Sequence, residues 1–129
     1  MTQKDKELLL KDLSARLPYS VKVKFNYIFT SPAILKRIDK DSIECDIAVC
    51  ELADVKPYLF PLESMTEEQK KEYERIIYRS IELHCQRYYN VIDIDDFDYL
   101  LDFYHKNHLD YRGLIPMGLA NDATGLNIY

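Results

Sequence analysis

The sequence predicts an α+β domain: an N-terminal helix, a small antiparallel sheet or open barrel of three to four strands, then two to three C-terminal helices. Three observations predict it. Apolar residues recur at helical spacing near the start and again after residue 66, and between those stretches they alternate every second residue. Strands grouped between helices, without strict strand–helix alternation, argue against a parallel sheet. A chain of 129 residues is long enough to fold without staples. It is read as a single domain over 1–129, with helix plus strand block in 1–62 and a helical layer in 63–129.

Each element has its own signal. Thr2 with Asp5 forms a capping box in which Asp replaces the usual Glu. Leu9, Leu10, Leu13 and Leu17 follow at helical spacing, so a helix is expected over about 3–16, stopped by Pro18. Val21-Lys22-Val23-Lys24-Phe25 alternates apolar with basic, as a half-buried strand does. A second extended segment, Ile28 to Ile38, is interrupted at Ser31-Pro32, where proline favours an edge or a bulge. After the polar turn Asp39-Lys40-Asp41, the residues Ile43, Cys45, Ile47 and Val49 alternate with Glu44, Asp46 and Ala48 as a third strand with one inward face. Val55 to Pro61 contains Pro57 and Pro61 and is expected at an edge or as a strap across the sheet.

Two overlapping capping boxes, Ser64 with Glu67 and Thr66 with Gln69, open a helix expected over about 67–88. Its buried stripe would hold Tyr73, Ile76, Ile77, Ile81, His84 and Tyr88. Asn90 to Ile94 reads as an extended link. Asp95 is the expected N-cap of a helix carrying Leu100, Leu101, Phe103, Tyr104 and His108. Asp110 is expected to cap a further turn of helix through Ile115, closed by Pro116 and Gly118. Leu126, Ile128 and Tyr129 make the tail apolar enough to rest on the body.

Composition narrows the function. The first thirteen residues mix charge with apolar side chains and lack the uninterrupted core of a signal peptide. No stretch approaches the roughly 20 apolar residues that cross a bilayer. The three cysteines Cys45, Cys50 and Cys85 are read as reduced thiols of a cytoplasmic protein. Strand alternation would put Cys45 and Cys50 on opposite faces, which argues against a bridge between them. Net charge is unevenly placed: residues 1–90 are neutral, whereas 91–129 hold seven aspartates against Lys106 and Arg112, and carry the whole −5. Such an end repels phosphate backbones, so nucleic acid is disfavoured there and a protein partner favoured. Tyrosine is abundant, with 11 residues, seven of them between Tyr73 and Tyr111. Rings at the edge of the core account for them better than an interface does.

Candidate chemistry is thin. Asp93, Asp95, Asp96, Asp98 and Asp102 begin like a calcium loop at Asp93-x-Asp95. No glycine stands at the sixth position, and Phe97 to Phe103 reads as helix, so a solvated acidic face is the expectation. These five aspartates are the candidate interaction surface. His105 and His108, with His84 and Cys85, lack the paired spacing of a zinc site; His84 and His108 are expected partly buried and His105 facing water. Glu44 and Asp46 beside Cys45 disfavour a thiolate nucleophile. With three glycines in all, phosphate-binding loops are excluded. No catalytic residue, metal or cofactor is expected, and the chain reads as non-enzymatic, with a metal-dependent enzyme using the aspartates or histidines as the remote alternative.

The stretches Lys11-Asp12-Leu13-Ser14-Ala15-Arg16-Leu17-Pro18-Tyr19, Val55-Lys56-Pro57-Tyr58-Leu59-Phe60-Pro61-Leu62 with Ser64-Met65-Thr66-Glu67-Glu68, and Asp110-Tyr111-Arg112-Gly113-Leu114-Ile115 resemble a group of short proteins encoded by phages and mobile elements of gut bacteria. The group brings a genetic context and no established activity. The resemblance implies an accessory factor of a mobile element acting on another protein. Physically, Asp110 to Gly113 suggests a cap, a ring laid on the core and an arginine pairing with the acidic stretch beside it. The alternative function is nucleic-acid binding by the strand block, with Lys22, Lys24, Lys36 and Arg37 as a basic face and Phe25 or Tyr27 as platform.

Overall fold

The structure, a computed structural model, describes residues 1–26, 32–39, 42–86 and 94–129, and of 79–86 and 94–96 the backbone alone. Helix α1 spans Gln3–Arg16, and its start is the expected box: the Thr2 hydroxyl accepts from the Asp5 N–H at 3.1 Å and the Asp5 carboxylate accepts from the Thr2 N–H at 3.2 Å. Leu9 and Leu13 are fully buried, whereas Leu10, one helical step around, is exposed. Asp12 and Arg16 lie on the buried face with the two leucines, so the inward stripe holds an ion pair as well as hydrocarbon. Pro18 falls in a tight 3₁₀ turn, Leu17–Tyr19, and Ser20 reverses the chain with φ of 56°.

The strands β1 (Lys22–Phe25), β2 (Ala33–Ile38), β3 (Ile43–Cys45), β4 (Val49–Cys50), β5 (Val55–Leu59) and β6 (Asn121–Asp122) form one open sheet in the order β4-β3-β2-β1-β5-β6. The sheet is not a closed barrel, and it has six strands rather than three to four. All neighbours are antiparallel except β5 and β6, which run parallel. Val21, Val23, Phe25, Ala33 and Leu35 face inward onto Leu9 and Leu13 of α1. Lys22 and Lys24 alternate outward as expected. Strand β2 begins directly after Pro32 and carries a bulge between Leu35 and Arg37. The rest of the expected extended segment, Ile28 to Ser31, and the turn residues Lys40 and Asp41 lie outside the described residues.

Two sheet expectations are corrected. The alternating run from Ile43 to Val49 is a hairpin and not one strand. The backbone of Asp46 donates to the Ile34 carbonyl at 3.1 Å while its carboxylate accepts from the Ile34 N–H at 3.0 Å, and the chain turns back so that the Cys45 N–H meets the Ala48 carbonyl at 2.9 Å. Ile47 and Val49 are therefore exposed, at 52% and 61%. The turn also brings Cys45 and Cys50 onto the same inward face, against the expectation of opposite faces, and both are free buried thiols.

Strand β5 is the second correction, because it sits between β1 and β6 instead of at an edge. The Asn26 N–H donates to the Asp54 carbonyl, so hydrogen-bonded pairs alternate along the ladder, and Val23↔Pro57 is a non-bonded pair. The nitrogen of Pro57 thus points away from β1, and on the other side pairing with β6 starts only at Tyr58. Proline removes no ladder bond in either direction.

Helix α2 spans Glu67–Gln86. Its cap is the Thr66–Gln69 box, with both reciprocal bonds present at 2.9 and 3.2 Å; Ser64 instead donates its hydroxyl to the Pro61 carbonyl. Tyr73, Ile76 and Ile77 are half-buried, as the stripe predicts. The side chains of Ile81 and His84, and all of Tyr88 and the link from Asn90 to Asp93, lie outside the described residues. Helix α3 spans Ile94–Lys106, so it starts before Asp95, which is inside the first turn and not the residue preceding the helix. Phe103 is buried and Leu100, Leu101 and Tyr104 are half-buried, but His108 lies beyond the helix end with φ of 54°.

Residues 110–118 form successive turns instead of the expected helical turn, with Gly113 and Gly118 at φ of 74° and 76°. Asp110 nonetheless caps them: its two oxygens accept from the Leu114 and Ile115 N–H groups at 2.8 and 2.9 Å. The tail rests on the body through β6 and Tyr129. Among the described residues no helix is long and apolar enough to cross a membrane.

Candidate functional site: a polar hub beside an acidic helical end

The stretches around Asp12, Tyr58 and Asp110 converge in space. Arg16, wholly buried, donates from Nε to Asp12 at 2.8 Å and from Nη2 to the Leu109 carbonyl at 2.6 Å. Arg112 donates from Nε to the other oxygen of Asp12 at 3.1 Å. The Phe60 N–H donates to the His108 carbonyl and the Asp110 N–H to the Phe60 carbonyl, both at 2.8 Å, which joins the β5 end to the same segment. One carboxylate on α1 therefore holds two guanidiniums, one from its own helix and one from 100 residues further along.

The aromatic rings shield this hub. Tyr111 stacks on Tyr104 at 4.8 Å between ring centres, and the guanidiniums of Arg16 and Arg112 lie 5.3 and 4.9 Å from its ring centre. Among the described residues the Nη1 of Arg16 is buried without a hydrogen-bond partner, and the Tyr111 ring faces its guanidinium. Burial pushes the Tyr104 hydroxyl up to about 12 and raises that of Tyr111. Tyr19 donates to Asp102, which raises the tyrosine above its ordinary value. Tyr73, Tyr104 and Tyr111 do fill the core edge, while Tyr78 and Tyr99 are exposed at 71% and 55%.

His105 and His108 each pack against a tyrosine ring. His105 does not face water as expected: it is 7% exposed, with Nε2 2.8 Å from the Tyr111 hydroxyl, and burial and the neighbouring Arg16 lower its pKa. His108, off the helix, stacks on Tyr129 at 3.7 Å, and burial with Arg16 and Lys22 nearby pushes it down to about 4. Cys45 and Cys50 are pushed up by burial to about 11 and about 12, which suits packing and not nucleophilic chemistry. Among the described residues no group of three or more His, Cys, Asp or Glu could hold a metal ion.

The five candidate aspartates fare differently. Asp98 and Asp102 are exposed on α3, the second of them bonded to Tyr19. Asp93 and the side chains of Asp95 and Asp96 lie outside the described residues. Asp110 and Asp122 turn onto nearby backbone N–H groups. The two cations of the segment pair elsewhere: Lys106 with Glu72 of α2 at 2.6 Å, and Arg112 with Asp12 of α1. Arg112 was expected to pair with the acidic stretch beside it. The chain turns at His108, with φ of 54°, and Arg112 reaches back to α1, where a buried carboxylate already accepts Arg16. Phe97 is 47% exposed next to Asp98, so the start of α3 shows aromatic and acidic side chains together.

Sequence reading missed the hub, because its members are far apart in the chain. The visible signal was a charged pair at i and i+4, Asp12 and Arg16, on the leucine side of an amphipathic helix. The basic face also changes character. Lys22 donates to the Ile128 carbonyl, Arg37 pairs with Asp39 at 2.9 Å and Phe25 is 2% exposed. Tyr27 lies outside the described residues. No family model, curated protein or solved structure compared with the chain matches it.

Proposed function

We propose that the protein is a non-enzymatic protein-interaction module, an accessory factor of a mobile element that works in the cytoplasm and contacts its partner through the acidic start of α3. One observation carries the reading: both cations of the acidic segment pair with carboxylates outside it, Glu72 and Asp12. The segment's own aspartates are left uncompensated by its own cations, and exposed aromatic rings stand among them. Acidic side chains steer a basic partner, and rings such as Phe97 supply the apolar contact that charge alone does not.

The test is charge reversal at Asp93, Asp95, Asp96 and Asp98, leaving Asp102 on Tyr19 and Asp110 on its cap. Pull-downs with the reversed protein are expected to lose the partners that the wild type retains. Recovery of the same partners in the same amounts would overturn the reading.

A further inference from the structure

Lys24 and Lys56 are directly opposed across β1 and β5 on the outward sheet face, in a hydrogen-bonded pair. Among the described residues neither forms an ion pair. Like charges facing each other across a ladder are unfavourable, and a local rule broken in this way points to something that binds there.

The spacing says what fits. The Cα atoms of such a pair stand about 5.5 Å apart. Two carboxylates at i and i+4 on a helix stand roughly 5–6 Å apart at Cβ. Helix α3 presents one such pair, Asp98 and Asp102, both exposed. Within one molecule the two surfaces cannot meet. Helix α1 covers the inward sheet face through Leu9 and Leu13, α3 lies against α1, and the lysines point to the opposite side.

We propose that the Lys24–Lys56 pair docks the Asp98–Asp102 edge of α3 from a second copy of the chain. The inference rests on the reading of α3 as a contact surface and names its partner. The charges are opposite, the spacings are of the same order, and Asp102 keeps a second oxygen beside the one that accepts from Tyr19. Two different patches in contact make the association head-to-tail, so it runs on into a ring or an open chain. A single strand of nucleic acid fits less well, since Phe25 is turned into the core and Arg37 is held by Asp39.

Sedimentation velocity at roughly 100 μM protein and low salt, about 50 mM, should show the wild type moving faster as concentration rises, and as a monomer near 500 mM. Lys24→Glu with Lys56→Glu, and separately Asp98→Lys, should each be monomeric with unchanged circular dichroism. Mixed together they should form a 1:1 complex, the intact α3 of the first on the intact lysines of the second. Lys56→Gln, a milder change, should weaken association roughly tenfold. A wild type that stays monomeric at low salt overturns the inference, as does a lysine double variant that still assembles. If the wild type is monomeric while charge reversal still abolishes capture of other proteins, the inference fails and the α3 reading stands.

Discussion

Arg16 donates to the carbonyl of Leu109 at 2.6 Å, a contact between residues 93 apart that ties the first helix to the segment after the last one. The same guanidinium holds Asp12, and Asp12 holds Arg112. This is a buried network in which each member depends on another.

Removing one partner from such a network leaves a charge buried and unpaired. Asp12→Ala should therefore destabilise the protein by about 3–5 kcal/mol, seen as a lower urea midpoint. Arg37→Ala, which breaks an exposed pair with Asp39, should leave the urea midpoint close to that of the wild type. Similar losses for the two would contradict the hub.

The Tyr129 hydroxyl accepts from the Lys22 N–H and donates to the Tyr58 carbonyl, each at 2.8 Å, where β1 and β5 would otherwise continue their ladder. Tyr129→Phe keeps the ring on His108 and leaves both backbone groups without this partner. The expected loss is about 1 kcal/mol, with faster hydrogen exchange at the Lys22 amide. Unchanged exchange at Lys22 would argue against the bridge.

His108 is held near 4 in the folded state against about 6.5 when unfolded, and its partner ring is Tyr129. A depressed histidine means that the unfolded chain binds the proton more readily. Its contribution is fully present above about pH 6.5 and is lost as pH falls toward 4. His105, also lowered, acts in the same direction. Denaturant midpoints should fall over that window by the equivalent of about 1–3 kcal/mol, and His108→Phe should flatten the fall. A profile in the variant as steep as the wild type's would remove His108 from the account.

Cys45 and Cys50 are buried and pushed up to about 11 and about 12, so neither is a thiolate near neutral pH. Mapping of iodoacetamide-modified peptides at pH 8 should show both unlabelled in the native protein and labelled after unfolding. Rapid native labelling at either would contradict their placement in the core.

Local chemistry determined much of this protein from sequence alone. The Thr2–Asp5 and Thr66–Gln69 boxes, the leucine face of α1, the inward Val23 and Phe25 of β1 and the cap at Asp110 all rest on residues a few positions apart, which interact whatever the rest of the chain does. The uneven charge was legible too, because it is a property of composition. Where the reading failed, distant residues decided. Asp46 broke the expected strand by bonding Ile34, and Pro57 entered the sheet because its neighbours need no N–H from it. Arg112 pairs with Asp12 of α1, a buried carboxylate in low dielectric, while Asp110 two residues away is taken up by the Leu114 and Ile115 N–H groups. Periodicity reports which way a side chain points along its own element. Which surface it then meets, and so where the polar hub and the opposed lysines lie, was decided only when the chain closed on itself.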